Sequence, residues 1–598
     1  MNQYSVNSIS VGSILGQITS GIIAIPEIQR PFVWDTTKVR DLIDSLYKGY
    51  PVGYIITWKS HDVKLKDGTS SIGKQILIDG QQRITALSAA LLGKSVLDES
   101  YKRKNITISF NLKTEEFQTK TPATEKSGEW ITDISDFITP GKVNIWEFVQ
   151  SYSDKFGVDA NTINTRISKL QSIQNTPIGC IDLVSNLDIA TVTEIFVRIN
   201  SKGQSLSQAD FAMSKISVND IYEGNDIRKT IDYFCHLLQE PNDYNNILES
   251  DIDFTNKDYF RRLSWIRNNG QVIYRPDYTD ILRVAFTYKF KRGKLENLVS
   301  LLSGRDFEAK EYNEETIKYT FENLKDGVLQ FIKQTNFERY IMILESAGII
   351  DSELVRSQNV INFGYILYLL LKEKNIKPER IERHVRRWLI MSIVTQRYTS
   401  SPESQFDYDI RRLTENADIE QYIEEELSRE MSDNFFDNIL PEKFNTPVVS
   451  SPFWKTFLIA QIKLNARGFL SKDITVRSLI EQRGDVHHIF PKDYLKKNGK
   501  DNKQTYNQIA NFAMLQTEVN IQVGNKSPNV YMDEVYQQCQ TKNTTYGGIT
   551  EERDLIANMK ENCIPMQFRN MTVYDYEDFL KQRQKLMAER VKNYYYSL

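Results

Sequence analysis

The chain has 598 residues, which is too long for one hydrophobic core and predicts about three or four domains. Its 75 lysine and arginine residues nearly balance its 78 aspartate and glutamate residues, so no global basic charge points to nucleic acid, and any such surface must be local. Four scattered cysteines, no signal-peptide pattern and no apolar run of the roughly 18 residues that a membrane helix needs predict a reduced, cytoplasmic protein without a membrane partner.

Residues 1–215 are predicted to form a mixed α/β domain. Asp35 is placed to cap a helix, residues 76–78 read as a short buried strand, and a second helix follows and ends at Gly93. Residues 191–199 are predicted to be helical. Apolar side chains alternate with polar ones in a segment that predicts a half-buried strand with a hairpin return at Phe117, namely Ile106, Ile108, Phe110 and Leu112.

Residues 216–450 are predicted to be a mainly helical middle region with charged loops. Within it, residues 407–426 are rich in charge and read as one solvated helix. Three prolines between residues 441 and 452 mark the best boundary. The last domain is therefore predicted to span residues 451–598.

A phosphate-friendly arrangement lies between the strand at 76–78 and the helix after it. The connecting sequence is Asp79-Gly80-Gln81-Gln82-Arg83. Gly80 allows a ligand to approach the backbone, the helix N-terminus adds positive potential, and Arg83 can grip a phosphate bidentately. Asp79 can bind a ribose hydroxyl or a cation, while Gln81 and Gln82 offer neutral donors and acceptors. The alternative is a structural turn in which Asp79 caps the helix and pairs with Arg83.

Two further segments carry a resemblance to a known family. Residues 25–34 place a second Gln-Arg pair in an aromatic-rich stretch, and residues 196–203 end a helix with Arg, Asn and Gly. With the Asp79–Arg83 sequence, they resemble the ParB/sulfiredoxin-like N-terminal domain of GmrSD-type modification-dependent (type IV) restriction endonucleases. The resemblance implies binding and hydrolysis of a nucleoside triphosphate, GTP or ATP, at Asp79 to Arg83. The weaker candidates for that site, whose arginines could instead neutralise buried carboxylates, are Gln29, Arg30, Arg198 and Asn200.

A second constellation lies in the last fifth of the chain, where His487 and His488 precede an Ile-Phe-Pro step and spaced asparagines follow. A one-metal nuclease needs an imidazole that takes a proton from water and side chains that hold a cation on the scissile phosphate. A structurally buried or accidental surface histidine pair is the alternative. The segment resembles the ββα-metal (HNH) nuclease core.

The HNH resemblance implies a role for each residue of this segment. His488 would be the general base, Asn511 would orient the loop, and Asn520 would open the last helix as a metal ligand. His487 stands where the family commonly has a carboxylate, and Asp485, on the same face of a strand, is the candidate that would restore that carboxylate. An imidazole ligand favours softer ions than a carboxylate does, so the metal is left open among Mg²⁺, Mn²⁺ and Ni²⁺.

The sequence thus predicts a multidomain α+β protein with a ParB/sulfiredoxin-like α/β domain, a helical middle and an HNH domain. The implied function is that of a nucleotide-regulated, metal-dependent DNA endonuclease with NTPase activity in anti-phage defence. Its expected partners are nucleotide and DNA, in particular modified phage DNA, and a homo-oligomer is left open. The alternatives are a nucleotide- or DNA-sensing protein with an inactive HNH-like domain, an RNA-cleaving toxin, and an NTPase whose nuclease domain needs a partner subunit.

Overall fold

The structure is a computed structural model that describes residues 4–24, 32–59, 75–98, 100–184, 187, 207–217, 219, 221–268, 270, 273–484 and 486–598. The chain divides into two compact units, a first unit of Met1–Asn268 with Leu298–Phe321 and a second unit of Asn269–Asn297 with Glu322–Leu598. The multidomain α+β character is confirmed, while the three-part division stays a prediction. Within the described residues, none of the helices combines the length and the apolar character needed to cross a membrane.

A five-stranded mixed sheet organises the first unit. Its strands, in spatial order, are Tyr4–Ser10, Pro177–Leu183, Tyr54–Lys59, Gln75–Asp79 and Ile23–Ala24. The first and third neighbouring pairs are antiparallel, and the second and fourth are parallel. The predicted strand at 76–78 is therefore confirmed as Gln75–Asp79, near one edge of this sheet.

Helices cover the sheet and supply much of its apolar core. Asp35 accepts a hydrogen bond from the Lys38 N–H at 2.7 Å and caps the helix Thr36–Tyr47, as predicted. Gly93 ends the helix Gln81–Leu92 with a φ of 64°, also as predicted. These helices bury Val39, Ile43, Ile84 and Leu87 against a cluster that includes Ile55 and Leu77 of the sheet. The other helices of the first unit are Val11–Thr19, Pro122–Lys126, Ile134–Ile138, Ile145–Phe156, Ala160–Gln171, Gln208–Ser217, Gly224–Gln239, Tyr244–Ser250, Ile252–Thr255 and Asp258–Arg261, with short 3₁₀ turns at Ser172–Asn175, Pro241–Asp243 and Ser264–Asn268.

Two small antiparallel sheets complete the strands described in the first unit. One joins Val96–Leu97 to Arg103–Lys104, and the other has the spatial order Phe117–Thr119, Ile108–Asn111 and Trp130–Ile131. The return at Phe117 is confirmed, because Phe117 pairs with Phe110. The expectation of a half-buried strand is wrong, since all four residues of Ile108–Asn111 are buried. The polar side chains of this strand can be buried because Ser109 donates to the Thr132 carbonyl at 2.8 Å and Asn111 Oδ1 accepts from the Lys113 N–H at 2.7 Å.

The second unit is mainly helical. Two helices, Leu295–Leu302 and Glu314–Ile332, run across the division between the units. Its own helices are Tyr278–Phe290, Gln334–Ala347, Gln358–Glu373, Pro378–Val394, Pro402–Glu415, Ile419–Glu430, Leu440–Lys443, Pro452–Lys463, Val476–Glu481, Lys492–Lys497, Lys503–Tyr506, Thr517–Val523, Pro528–Thr541, Glu552–Glu561 and Tyr576–Tyr596. A π turn at Phe435–Ile439 and 3₁₀ turns at Ser352–Leu354, Ile509–Asn511, Met566–Asn570 and Val573–Asp575 join them. One strand pair, Val486–His488 with Phe512–Met514, lies among these helices.

The expectation of one solvated helix over residues 407–426 is wrong. The segment contributes to two helices, and its carboxylates Asp409 and Glu426 are buried. Both bind the guanidinium of Arg397, at 2.6 Å and 2.7 Å. A cation from elsewhere in the chain thus allows acids to be buried that local sequence assigns to solvent.

Candidate functional site

Gly80 shapes the turn between the strand Gln75–Asp79 and the helix Gln81–Leu92. Its φ is 97°, and a Cβ at this position would lie 2.8 Å from Ile55 Cγ2, so a side chain would be strained and crowded. Gly80 occupies the N-cap position, and the helix start has no side-chain cap among the described residues. The alternative in which Asp79 caps this helix is therefore wrong, and the first-turn N–H groups are left without a side-chain acceptor.

Arg83 and Gln82 are anchored on neighbouring backbone. Arg83 Nη1 donates to the Tyr54 carbonyl at 2.7 Å, and Gln82 Oε1 accepts from the Val33 N–H at 3.2 Å. Within the described part of the chain, the side chains of Asp79 and Gln81 make no hydrogen bond, so the expected pairing of Asp79 with Arg83 does not form. The turn therefore combines a positioned guanidinium with a carboxylate and an amide that face no described partner.

The remaining candidates for the nucleotide site cannot be placed beside this turn. Gln29, Arg30, Arg198 and Asn200 lie outside the described residues, as does the predicted helix at 191–199. The structure brings Asp79 to Arg83 together with the strand Tyr54–Lys59, whose first carbonyl holds Arg83. The involvement of the other four residues stays a prediction.

The second candidate site is built on a strand, a long loop, a second strand and a helix. Val486–His488 pairs antiparallel with Phe512–Met514, so that His487 lies opposite Ala513 and His488 opposite Phe512. The helix Thr517–Val523 follows. Asn520 is the fourth residue of that helix and does not open it, which corrects one detail of the sequence-based expectation.

His488 is half-buried and has a defined hydrogen-bond partner. Its Nε2 lies 2.9 Å from Asn507 Oδ1, and its ring centroid lies 4.8 Å from that of Phe512 in an edge-to-face contact. Because an amide oxygen accepts, we assign the proton of the neutral imidazole to Nε2, which leaves the lone pair on Nδ1. Burial lowers the pKa of His488, Lys492 and His487 lower it further, and the hydrogen bond to Asn507 opposes them. A neutral imidazole with a free lone pair can accept a proton from water.

Asn511 closes the loop that joins the two strands. It is fully buried, its Oδ1 accepts from the Phe490 N–H at 2.8 Å, and its Nδ2 donates to the carbonyls of Phe490 and Tyr506 at 3.1 Å and 3.2 Å. Buried Arg583 supports the same turn, because its Nη1 donates to the Ala510 carbonyl at 2.8 Å. Asn511 thus fixes the backbone on both sides of the loop.

Three residues were expected to hold a metal ion, namely His487, Asn520 and Asp485. His487 is half-buried beside a small cavity lined by both imidazoles and by apolar side chains that include Ala513 and Val523. The Asn520 side chain makes no hydrogen bond to any other described residue, and Asp485 lies outside the described residues. No group of three His, Cys, Asp or Glu side chains within the described ranges is arranged to hold a metal. His487 and Asn520 would offer an imidazole and an amide oxygen, which are donors suited to a borderline divalent ion.

Sequence reasoning gave no role to Asn507, whose side chain holds His488. Asn507 stands in an amide-rich segment that also contains Asn511, and that concentration of amides was the one available signal. Tyr506, whose ring centroid is 6.3 Å from that of His488, was also missed. Its position beside His488 follows from how the loop folds back, which no pattern in the sequence indicates.

A comparison with known protein families gives a match at the N-terminal site. Residues 11–217 match the model of the GmrSD restriction endonuclease, N-terminal domain. The chain therefore contains a domain that is similar to the N-terminal domain of GmrSD restriction endonucleases. The matched segment contains four of the five strands of the mixed sheet and the turn from Asp79 to Arg83. A search of curated proteins gives no match, and the second candidate site lies outside the matched GmrSD segment.

Proposed function

We propose that this protein is a metal-dependent DNA endonuclease of the GmrSD family that acts in anti-phage defence. The observation that carries the proposal is the pair His487 and His488 on a strand that is followed by a loop, a second strand and a helix. His488 is held there by an amide and carries a lowered pKa. The match of residues 11–217 to the model of the GmrSD restriction endonuclease, N-terminal domain, supports the same proposal. Cleavage of a phosphodiester is the reaction that both features favour.

In the proposed reaction, His488 Nδ1 accepts a proton from the attacking water. Asn507 keeps the ring oriented, and its hydrogen bond stabilises the imidazolium that forms. Asn511 touches no reacting atom and holds the loop that contains Asn507. His487 and Asn520, with Asp485, would hold a divalent ion, Mg²⁺, Mn²⁺ or Ni²⁺, and that ion supplies positive charge at the scissile phosphate when bound.

The turn from Asp79 to Arg83 is the proposed nucleotide site. Backbone N–H groups at the start of the helix Gln81–Leu92 face no side-chain cap in the described chain, and phosphate groups bind well to such donors. Arg83, held at the Tyr54 carbonyl, adds a charged donor, and Gly80 admits close approach. GTP or ATP bound here would regulate cleavage by shifting the enzyme towards one of its conformations. The proposed substrate is modified foreign DNA.

The decisive experiment is cleavage of plasmid DNA by the purified full chain. We expect nicking with at least one of Mg²⁺, Mn²⁺ and Ni²⁺, and we expect His488→Ala to abolish it without loss of nucleotide binding. His236→Ala is the matched control, because it removes a hydrogen-bonded imidazole in the first unit and should leave cleavage intact. Cleavage by His488→Ala at the unaltered rate would refute the assignment of the base.

Substrates and ions separate this proposal from its alternatives. Cleavage of unmodified and phage-modified DNA should differ, and His487→Asp should shift the metal preference towards Mg²⁺. Absence of nicking with every ion and nucleotide would favour a sensing protein, while cleavage of RNA alone would favour an RNA-directed toxin. Calorimetry of Arg83→Ala should show a loss of about 1.5–3 kcal/mol in nucleotide affinity if a charge-assisted contact is removed.

A further inference from the structure

Two lysines of the loop between the strands are gathered beside His488. The helix Lys492–Lys497 begins directly after this histidine's Ile-Phe-Pro step, and its Lys492 and Lys496 stand one helical turn apart. Their Nζ atoms lie 5.7 Å and 5.3 Å from the centre of the Tyr506 ring. That ring is 6.3 Å from the ring of His488, and the charge of Lys492 acts on this imidazole directly, so the lysine pair belongs to the surroundings of the proposed base.

No carboxylate of the described residues neutralises the lysine pair. Both side chains are exposed, and the two aspartates of the same loop, Asp493 and Asp501, are exposed without forming an ion pair with either lysine. Lys500, in the same loop, differs, because its Nζ binds Glu577 at 2.8 Å. The loop therefore contains both a neutralised lysine and a lysine pair whose charge is directed to solvent.

Two lysines one helical turn apart repel each other, and this repulsion reduces the stability of the helix. Like charges four residues apart on a helix destabilise it by about 0.2–0.5 kcal/mol. Contact with the face of Tyr506 offsets part of that repulsion, since the ring attracts each cation. An anion bound between the two ammonium groups would remove the repulsion and add charge-assisted hydrogen bonds.

We infer that Lys492 and Lys496 bind the phosphate backbone of duplex DNA next to the bond that is cut, an inference that rests on the nuclease function proposed above. Phosphate contacts fix the register of a protein on DNA and carry no sequence information. The lysine pair would therefore hold the strand in place at His488, whatever bases are present. Its contribution is to positioning and affinity, and the choice of substrate is made elsewhere.

The test is the salt dependence of DNA binding by the full chain with divalent ions removed, so that no cleavage occurs. Affinity for a labelled duplex is measured by fluorescence anisotropy over a range of NaCl concentrations. Each phosphate contact on duplex DNA adds about 0.9 to the slope of log affinity against log salt. The double variant Lys492→Gln, Lys496→Gln should therefore lower the magnitude of the slope by about 1.8. The double variant Lys492→Arg, Lys496→Arg should retain the slope.

Lys500→Gln is the matched control, because it removes the same charge from the same loop where Glu577 already neutralises it. Its slope should equal that of the unaltered protein. An unchanged slope in the double glutamine variant, with DNA still bound and cut, would overturn the role of the lysine pair and leave the nuclease function standing. Failure of the unaltered protein to bind or cut DNA would instead overturn the nuclease function. If the double glutamine variant binds RNA more weakly but binds DNA as the unaltered protein does, the assignment to DNA is wrong.

Discussion

Replacing Asn511 with alanine should open the loop between the two strands while the rest of the second unit stays folded. The side chain is fully buried and makes three hydrogen bonds, one from the Phe490 N–H and two to the carbonyls of Phe490 and Tyr506. Alanine supplies none of these, and water has no direct access to the groups left behind. The loss of local stability should therefore be confined to the segment that positions His488.

The magnitude follows from the hydrogen bonds that are lost. Each is worth about 0.5–1.5 kcal/mol net, and the buried groups left unpaired add to the cost, so we expect about 3 kcal/mol for Asn511→Ala. Since 1.4 kcal/mol corresponds to a factor of ten, the open population of the loop should rise about a hundredfold. Amides that exchange through local opening should exchange faster by the same factor.

Hydrogen–deuterium exchange with mass spectrometry measures this effect peptide by peptide. We expect faster exchange in peptides that span residues 486–514 and unchanged exchange in the helix Pro378–Val394 of the same unit. Asn498→Ala is the matched control, because its exposed amide makes a single bond to the Tyr494 carbonyl at 2.8 Å. Equal protection of residues 486–514 in Asn511→Ala and in the unaltered protein would refute the reasoning.

Three further predictions concern stability. Gly80→Ala should destabilise the first unit by about 1–2 kcal/mol, because Gly80 has a φ of 97°; calorimetry measures the lower unfolding temperature. Arg397→Met should destabilise the second unit by on the order of 3–5 kcal/mol in urea unfolding, because buried Asp409 loses its cation. Burial lowers the pKa of His384, and the hydrogen bond that its Nε2 donates to Glu420 opposes that shift. An unfolded chain therefore binds a proton near pH 6.5 that the folded chain does not, and stability falls as the pH drops below about 6.5. His384→Leu should flatten that acid loss in thermal unfolding measured across pH.

Matched variants make these stability measurements specific. Gly16→Ala, in the helix Val11–Thr19 with no atom near the new Cβ, should be neutral or stabilising, and an equal loss there would remove the argument from Gly80. Arg411→Met breaks an exposed ion pair with Asp407 and should cost at most about 1 kcal/mol, so similar losses at both arginines would contradict the buried-network argument. If His384→Leu leaves the loss of stability at acid pH unchanged, that loss is caused by other titratable groups.

Short-range signals in the sequence predicted local elements well. A capping aspartate at Asp35, a glycine at Gly93 and a run of apolar residues at 76–78 each act within a few residues, and the structure follows them. The segment 407–426 was misread because its buried carboxylates depend on Arg397, which precedes the segment and meets it only in the folded unit. When a charged side chain is buried only because of a partner outside its own segment, the local pattern of apolar and polar residues does not indicate its burial.

The candidate nuclease site likewise combines a feature that short-range sequence signals predicted with contacts that they did not predict. A histidine pair before Ile-Phe-Pro predicted a strand with imidazoles, and the structure provides it in Val486–His488. The bond between His488 and Asn507 spans 19 positions and depends on how the loop returns, so spacing alone did not assign a role to Asn507. The gathering of Lys492 and Lys496 over Tyr506 likewise follows from that return.

The loop fastened by Asn511 at its base has an evolutionary consequence. Because one amide ties Phe490 to Tyr506, residues between those two points can change in length and charge while the imidazoles keep their place. This fastening separates the strand that holds the imidazoles from the exposed part of the loop. Sequence changes can therefore accumulate in the outer part of the loop without altering the strand that bears the proposed catalytic histidine.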